Sequence, residues 1–152
     1  MHGLYNEGDN IMLNNLEKYL LQGKYTEVSE ECRNLNKDAI RDTLMKIAYD
    51  TENICVYSFI NYMIKKTENE EWIELAIEIM LNPLCFVEGA YSVALFHARE
   101  LLIKERNVKN LERILFFHNI PEKLVCDKEA QDIAKEILAT EADNVVALGI
   151  NL

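Results

Sequence analysis

Leu81–Ile103, LNPLCFVEGAYSVALFHARELLI, is the stretch on which the reading of this chain turns. Val87, Ala90, Tyr91, Ala94, Ala98, Leu101 and Leu102 recur at three- and four-residue steps, which lays them along one stripe of a helix. Phe96 and Ile103 lie on the opposite side, so this helix is apolar on two faces and is expected to be covered by neighbours on both. Gly89, Ala90, Ser92, Ala94 and Ala98 are small, which lets adjacent helices approach closely. The expectation is a central buried helix. It starts just after Pro83, a residue that ends the helix before it, and runs to about Glu105.

Outward from that stretch the same period recurs. Asp9 or Asn10 is a candidate cap for a helix over 11–22, stopped by Gly23, and a second helix follows from Tyr25 to about Leu35. The two read as an antiparallel hairpin with a short turn. Asn36 or Asp38 opens a third helix through Tyr49. The next segment, Ile54–Lys65 (ICVYSFINYMIK), is apolar almost all round. Its β-branched and aromatic content also suits a strand, but no other segment offers it a pairing partner, so helix is expected. Thr67 with Glu70 forms a Thr-x-x-Glu capping pattern ahead of a helix over 70–81. After Glu105, residues 106–109 read as a turn and Leu111, Ile114, Leu115 and Phe117 as a short helix. His118–Lys123 reads as a loop, and Asp127 as the cap of a helix over 128–140. One last turn falls within 145–152. The organisation expected is a flexible stretch over 1–9 and a single helical-repeat domain over 10–152.

Composition agrees with an all-α class. Hydrophobic residues make up 49% and charged residues 28%, too apolar for disorder, and five Gly and two Pro in 152 residues are too few turn formers for a β-sandwich. Antiparallel helical hairpins, stacked as a short α-solenoid or a compact helical bundle, are expected. Sixteen basic against 26 acidic residues leave a net charge of −10. That balance argues against nucleic acid and anionic membranes, and favours a basic protein partner. No apolar run reaches the roughly 18 residues of a membrane span, and MHGLYNEGDN has no signal-peptide pattern. Cys32, Cys55, Cys85 and Cys126 are too widely spaced for a zinc site and read as free thiols in a cytoplasmic protein, behaving as small core hydrophobes. No metal or cofactor is expected.

Candidate sites carry competing readings. Glu70, Glu74 and Glu78 stand at i, i+4 and i+8, one acidic row on the helix that holds Trp72. Like charges so placed cost an isolated helix roughly 0.2–0.5 kcal/mol per pair, so the row either receives a basic partner or is neutralised by Lys65, Lys66 or a neighbouring helix. Tyr49, Tyr57, Phe59 and Tyr62 crowd one region and either line a concave groove, with Tyr57 and Tyr62 as anchors, or form core. His97 reads as a boundary histidine satisfied by a carbonyl, and as a catalytic base only if a cleft brings it a partner. No phosphate loop, GxSxG, HExxH or carboxylate pair appears, so the expectation is a chain without catalytic function.

Tyr19, Gly23, Tyr25 and Val28 resemble the hairpin centre of a tetratricopeptide repeat: a large residue, glycine at the turn, an aromatic and a small apolar residue. The frame recurs without its glycine at Trp72 and Leu75, and again at Leu102, Val108 and Leu111. ILATEADNVVAL, from Ile137 to Leu148, looks like that family's repeat-to-repeat junction, with Ala142 where the family usually has proline. This resemblance implies an adaptor that holds a peptide segment of a partner. In length, helical hairpins and negative charge the chain is also similar to the small acidic all-helical immunity proteins that bacteria carry beside polymorphic or contact-dependent toxins. That likeness implies neutralisation of a cognate toxin by occluding its active site or holding it inactive. The candidate partner-binding residues are Glu70, Glu74 and Glu78, on the helix of Trp72, toward a basic toxin domain, and Tyr57 and Tyr62 toward a peptide in a groove.

Overall fold

A computed structural model describes residues 7–151, and every regular element among them is a helix. In order these are α1 (Glu7–Leu21), α2 (Tyr25–Cys32), α3 (Lys37–Thr51), α4 (Cys55–Thr67), α5 (Glu70–Leu81), α6 (Ala90–Lys104), α7 (Val108–Asn119), α8 (Asp127–Thr140) and α9 (Val145–Leu148). The all-α class expected from the periodicity is what forms. Of the stretch expected to be flexible, residues 1–6 lie outside the described residues. Helix α1 begins at Glu7, so Asp9 and Asn10 stand inside it and do not cap it.

The helices group into two compact units, 1–87 and 88–152. The first is organised around α4, which packs against α1, α2, α3 and α5 and buries Val56, Phe59, Ile60 and Met63. Each large apolar side chain so buried contributes roughly 1.5–3 kcal/mol relative to exposure. Its near-continuous hydrophobicity therefore reflects neighbours on every side, and the strand alternative does not form. Between α1 and α2, Gly23 takes φ 72°, a left-handed conformation that costs glycine little. The amides of Gly23 and Lys24 return to the carbonyls of Leu20 and Tyr19 at 3.0 and 2.9 Å, a Schellman closure that makes the hairpin.

The second unit is organised around α7, which packs against α6, α8 and α9 with Leu111, Ile114, Leu115 and Phe117 inward. Buried Asn110 donates to the Glu105 carbonyl just past the end of α6 at 2.8 Å, and to the Leu101 carbonyl, which also accepts the Glu105 amide, at 3.3 Å. The loop after α7 folds back, with the amides of Leu124 and Val125 both donating to the Phe117 carbonyl.

The Leu81–Ile103 stretch departs from expectation. It is three pieces: the end of α5, a series of turns over 82–89, and α6 starting at Ala90. Pro83 and Leu84 are buried, and the Leu84 amide donates to Ile79 O, so the chain is pinned into the first unit instead of continuing as helix. Gly89, at φ 82°, then turns it into α6. Helix α6 is not covered on two faces either: Phe96 is 61% and Ile103 86% exposed.

Caps account for further corrections. Asn36, Asn69, Asn107 and Asn144 cap α3, α5, α7 and α9, each accepting a backbone N–H through its side chain. Thr67 instead ends α4 and donates to the Met63 carbonyl, so the cap of α5 is Asn69 and not the Thr67–Glu70 pair. Cys126 occupies the capping position of α8, and Asp127 is its first helical residue. His118 lies within α7 and not in a loop. Of the four thiols only Cys32 is a core residue, while Cys85 and Cys126 are exposed.

Candidate functional site

In the first unit, α3 and α5 both pack against α4 and also touch each other. Lys37 pairs with Glu71, and Arg41 with Glu78. Because residue numbers rise together on the two helices, α3 and α5 run parallel. Between them opens a cleft of about 370 Å³. Its apolar wall is Leu35, Ile40, Trp72 and Leu75, and its rim carries Lys37, Asp38 and Arg41 of α3 facing Glu71, Glu74 and Glu78 of α5.

The local sequence explains how these groups arrive together. Lys37 and Arg41 stand one turn apart at the start of α3, and Ile40 falls between them on the wall. On α5, Ile73, Leu75, Ala76, Ile77, Ile79 and Met80 are buried, with Leu75 also lining the cleft, which leaves Trp72 half-buried at its margin and the glutamates outward. Hydrogen bonding to Glu71, reinforced by its charge, raises the Lys37 ammonium above its ordinary value, and Glu78 acts on Arg41 in the same way. The cations are therefore fixed as cations, each held to a carboxylate across the cleft.

Of the residues singled out from sequence, Trp72, Glu74 and Glu78 line this cleft, while Glu70 is exposed at the first position of α5 outside it. On the acidic helix, α3 supplies the cations that pair with Glu71 and Glu78. Lys66 turns elsewhere, donating to Ser29 Oγ at 3.0 Å and lying over the Tyr62 ring at 5.7 Å. Tyr62 belongs to a neighbouring aromatic group. Its ring centroid is 6.3 Å from Phe59 and 5.9 Å from Tyr25, and Phe59 meets Trp72 edge-on at 5.9 Å. Phe59 thus joins the tyrosines to the cleft through the core. Tyr57 is half-buried on α4, and Tyr49 is exposed. Neither lines the cleft. Sequence reasoning missed Lys37, Arg41 and Glu71. Their signal was the i, i+4 spacing of two cations on one helix, but nothing local says which helix they face.

No protein-family model, curated protein or solved structure matches this chain. Chemistry and geometry carry the functional argument from here.

The second unit repeats the device with a different charge balance. Arg99 on α6 and Arg106, two residues beyond its end, make two-pronged hydrogen bonds to Glu129 and Glu136 on α8, at 2.6 and 3.1 Å and at 2.7 and 2.7 Å. They bridge a groove of about 470 Å³ over Leu102 and Ile133. Those bonds hold both carboxyls below their usual range. His97, on the same helix, is buried with its Nδ1 2.9 Å from Glu100 Oε1. A carboxylate therefore satisfies it, where a carbonyl was expected. His118 Nε2 and Lys123 Nζ meet Asp127 Oδ1 at 2.9 and 2.7 Å, tying the α7–α8 loop to the start of α8. Among the described residues no group of three or more His, Cys, Asp or Glu side chains is placed to hold a metal ion. Nor is any helix among them long and apolar enough to cross a membrane.

Proposed function

We propose that this protein is a protein-binding module without catalytic function that docks its partner on the α3–α5 cleft. Its setting is that of an immunity protein, acting in the cytoplasm, which holds a cognate toxin domain inactive. The observation that carries the reading is Trp72. The only tryptophan in the chain is half-buried in a cleft with an apolar wall and a charged rim. Aromatic anchors surrounded by charged groups are where binding energy concentrates in protein interfaces. The net charge of −10 supports a basic partner, since it speeds encounter with a positively charged surface.

A tetratricopeptide-like adaptor is the second reading, and one observation favours it. Two parallel helices flanking an open cleft, with a third packed behind them, suit a peptide segment as well as a folded surface.

Capture from the source cell on immobilised protein tests both. A partner retained by the native chain is expected to associate more slowly with a Glu70→Lys, Glu74→Lys, Glu78→Lys variant. Unchanged rate and affinity in that variant would remove α5 from the interface. If a short segment of the captured partner binds as tightly as the whole, the adaptor reading replaces the immunity reading.

A further inference from the structure

We infer that the occupant of the α3–α5 cleft is a basic amphipathic segment, with one apolar side chain against Trp72 and lysines or arginines along one face. This inference rests on the cleft reading above and names the chemistry of the partner. The wall of Leu35, Ile40, Trp72 and Leu75 is apolar and opens between charged rims, so it takes an apolar group whose neighbours are polar. The rim sets the sign of those neighbours. Leaving Glu74 aside, Asp38, Glu71 and Glu78 stand with Lys37 and Arg41 there, three carboxylates to two cations, so the rim stays negative even with both cross-cleft pairs formed.

Those pairs are replaceable. Lys37, Arg41, Glu71 and Glu78 are all substantially exposed, and exposed ion pairs contribute little to stability. An incoming cation can take over Glu71 or Glu78 while Lys37 or Arg41 swings into water. An acidic segment would instead have to approach four carboxylates to reach two cations that are already satisfied. Spacing follows from α5: Glu71, Glu74 and Glu78 extend over two turns, about 10 Å, which matches basic residues at successive turns of a helical ligand.

The test is selection of a displayed library of random 12-residue peptides on the immobilised full chain, with enriched peptides then titrated while Trp72 emission is followed. Enriched sequences combining Leu, Ile or Phe with Lys or Arg are expected to shift Trp72 emission to shorter wavelength and to saturate. Their affinity is expected to fall roughly ten-fold when salt rises from about 0.05 M to about 0.5 M. Asp38→Lys, a change at an exposed rim position, is expected to weaken them by a further factor of about ten. Enriched peptides that are acidic or uncharged yet still shift Trp72 overturn this inference and leave the cleft as the docking site. Peptides that bind without moving Trp72, or no enrichment at all, overturn the inference and the cleft reading together.

Discussion

Burial governs the chemistry of single residues here, and His97 is the clearest case. With 1% of its surface exposed, its imidazole is held below the ordinary 6.5, because burial penalises the charged ring more than the Glu100 carboxylate favours it. The unfolded chain then takes up a proton near pH 6.5 before the folded one does, so the stability His97 supports is present above that pH and lost as pH falls below it. Urea midpoints are expected to drop between about pH 6.5 and 5, and His97→Gln to flatten that slope; an equally steep slope in the variant would show the charge change lies elsewhere. Desolvation likewise pushes the Cys32 thiol up to about 11, aided by Glu31, so it stays protonated at neutral pH. A thiol reagent at pH 7.5 is expected to label Cys85 and Cys126 fast and Cys32 only on unfolding. Rapid modification of Cys32 in the native protein would contradict its buried place at the end of α2.

At the scale of the element, the segments that looked alike in sequence diverge. Ile54–Lys65 and Leu81–Ile103 both read as apolar on more than one face, yet only the first is surrounded by helices. The second breaks at Pro83, and its apolar residues divide between buried Leu84, Ala94 and Leu101 and exposed Phe86, Phe96 and Ile103. Gly89 makes that break workable. At φ 82° no atom lies within 4 Å of a Cβ added there, so Gly89→Ala pays only backbone strain. The expected loss is about 1 kcal/mol, read from the denaturant midpoint at unchanged slope. A loss near zero would mean α6 tolerates another entry angle. The paired Arg–Glu bonds to α8 show the same dependence on context. Glu129 and Glu136, seven residues apart, fall on one face of α8, and they are met by Arg99 from α6 and by Arg106 from the connection that follows it.

The whole molecule consists of two units joined through the turns at 82–89, where Phe86 is 59% exposed and outside any helix. Limited chymotrypsin digestion is expected to cut first at Phe86, ahead of the more exposed Phe96, whose helical backbone must open before a protease can hold it. A first cut inside α6 would place the weak point elsewhere. Helix existence was legible in the sequence because amphipathic period is a local property: α2, α3, α5 and α8 begin within a residue of where their patterns place them. The acidic helix and Trp72 were legible as candidates for the same reason. The partners of those residues were not, since Lys37 and Arg41 meet Glu71 and Glu78 across more than thirty residues of chain, a distance on which local periodicity is silent. Composition and spacing by themselves determined that this chain is helical, acidic and rich in apolar faces. Only the tertiary structure decided that α4 and α7 are the hubs and that the stretch around Pro83 is a junction. Which apolar face is buried depends on which helices come to lie beside it, and that is settled by packing among distant segments.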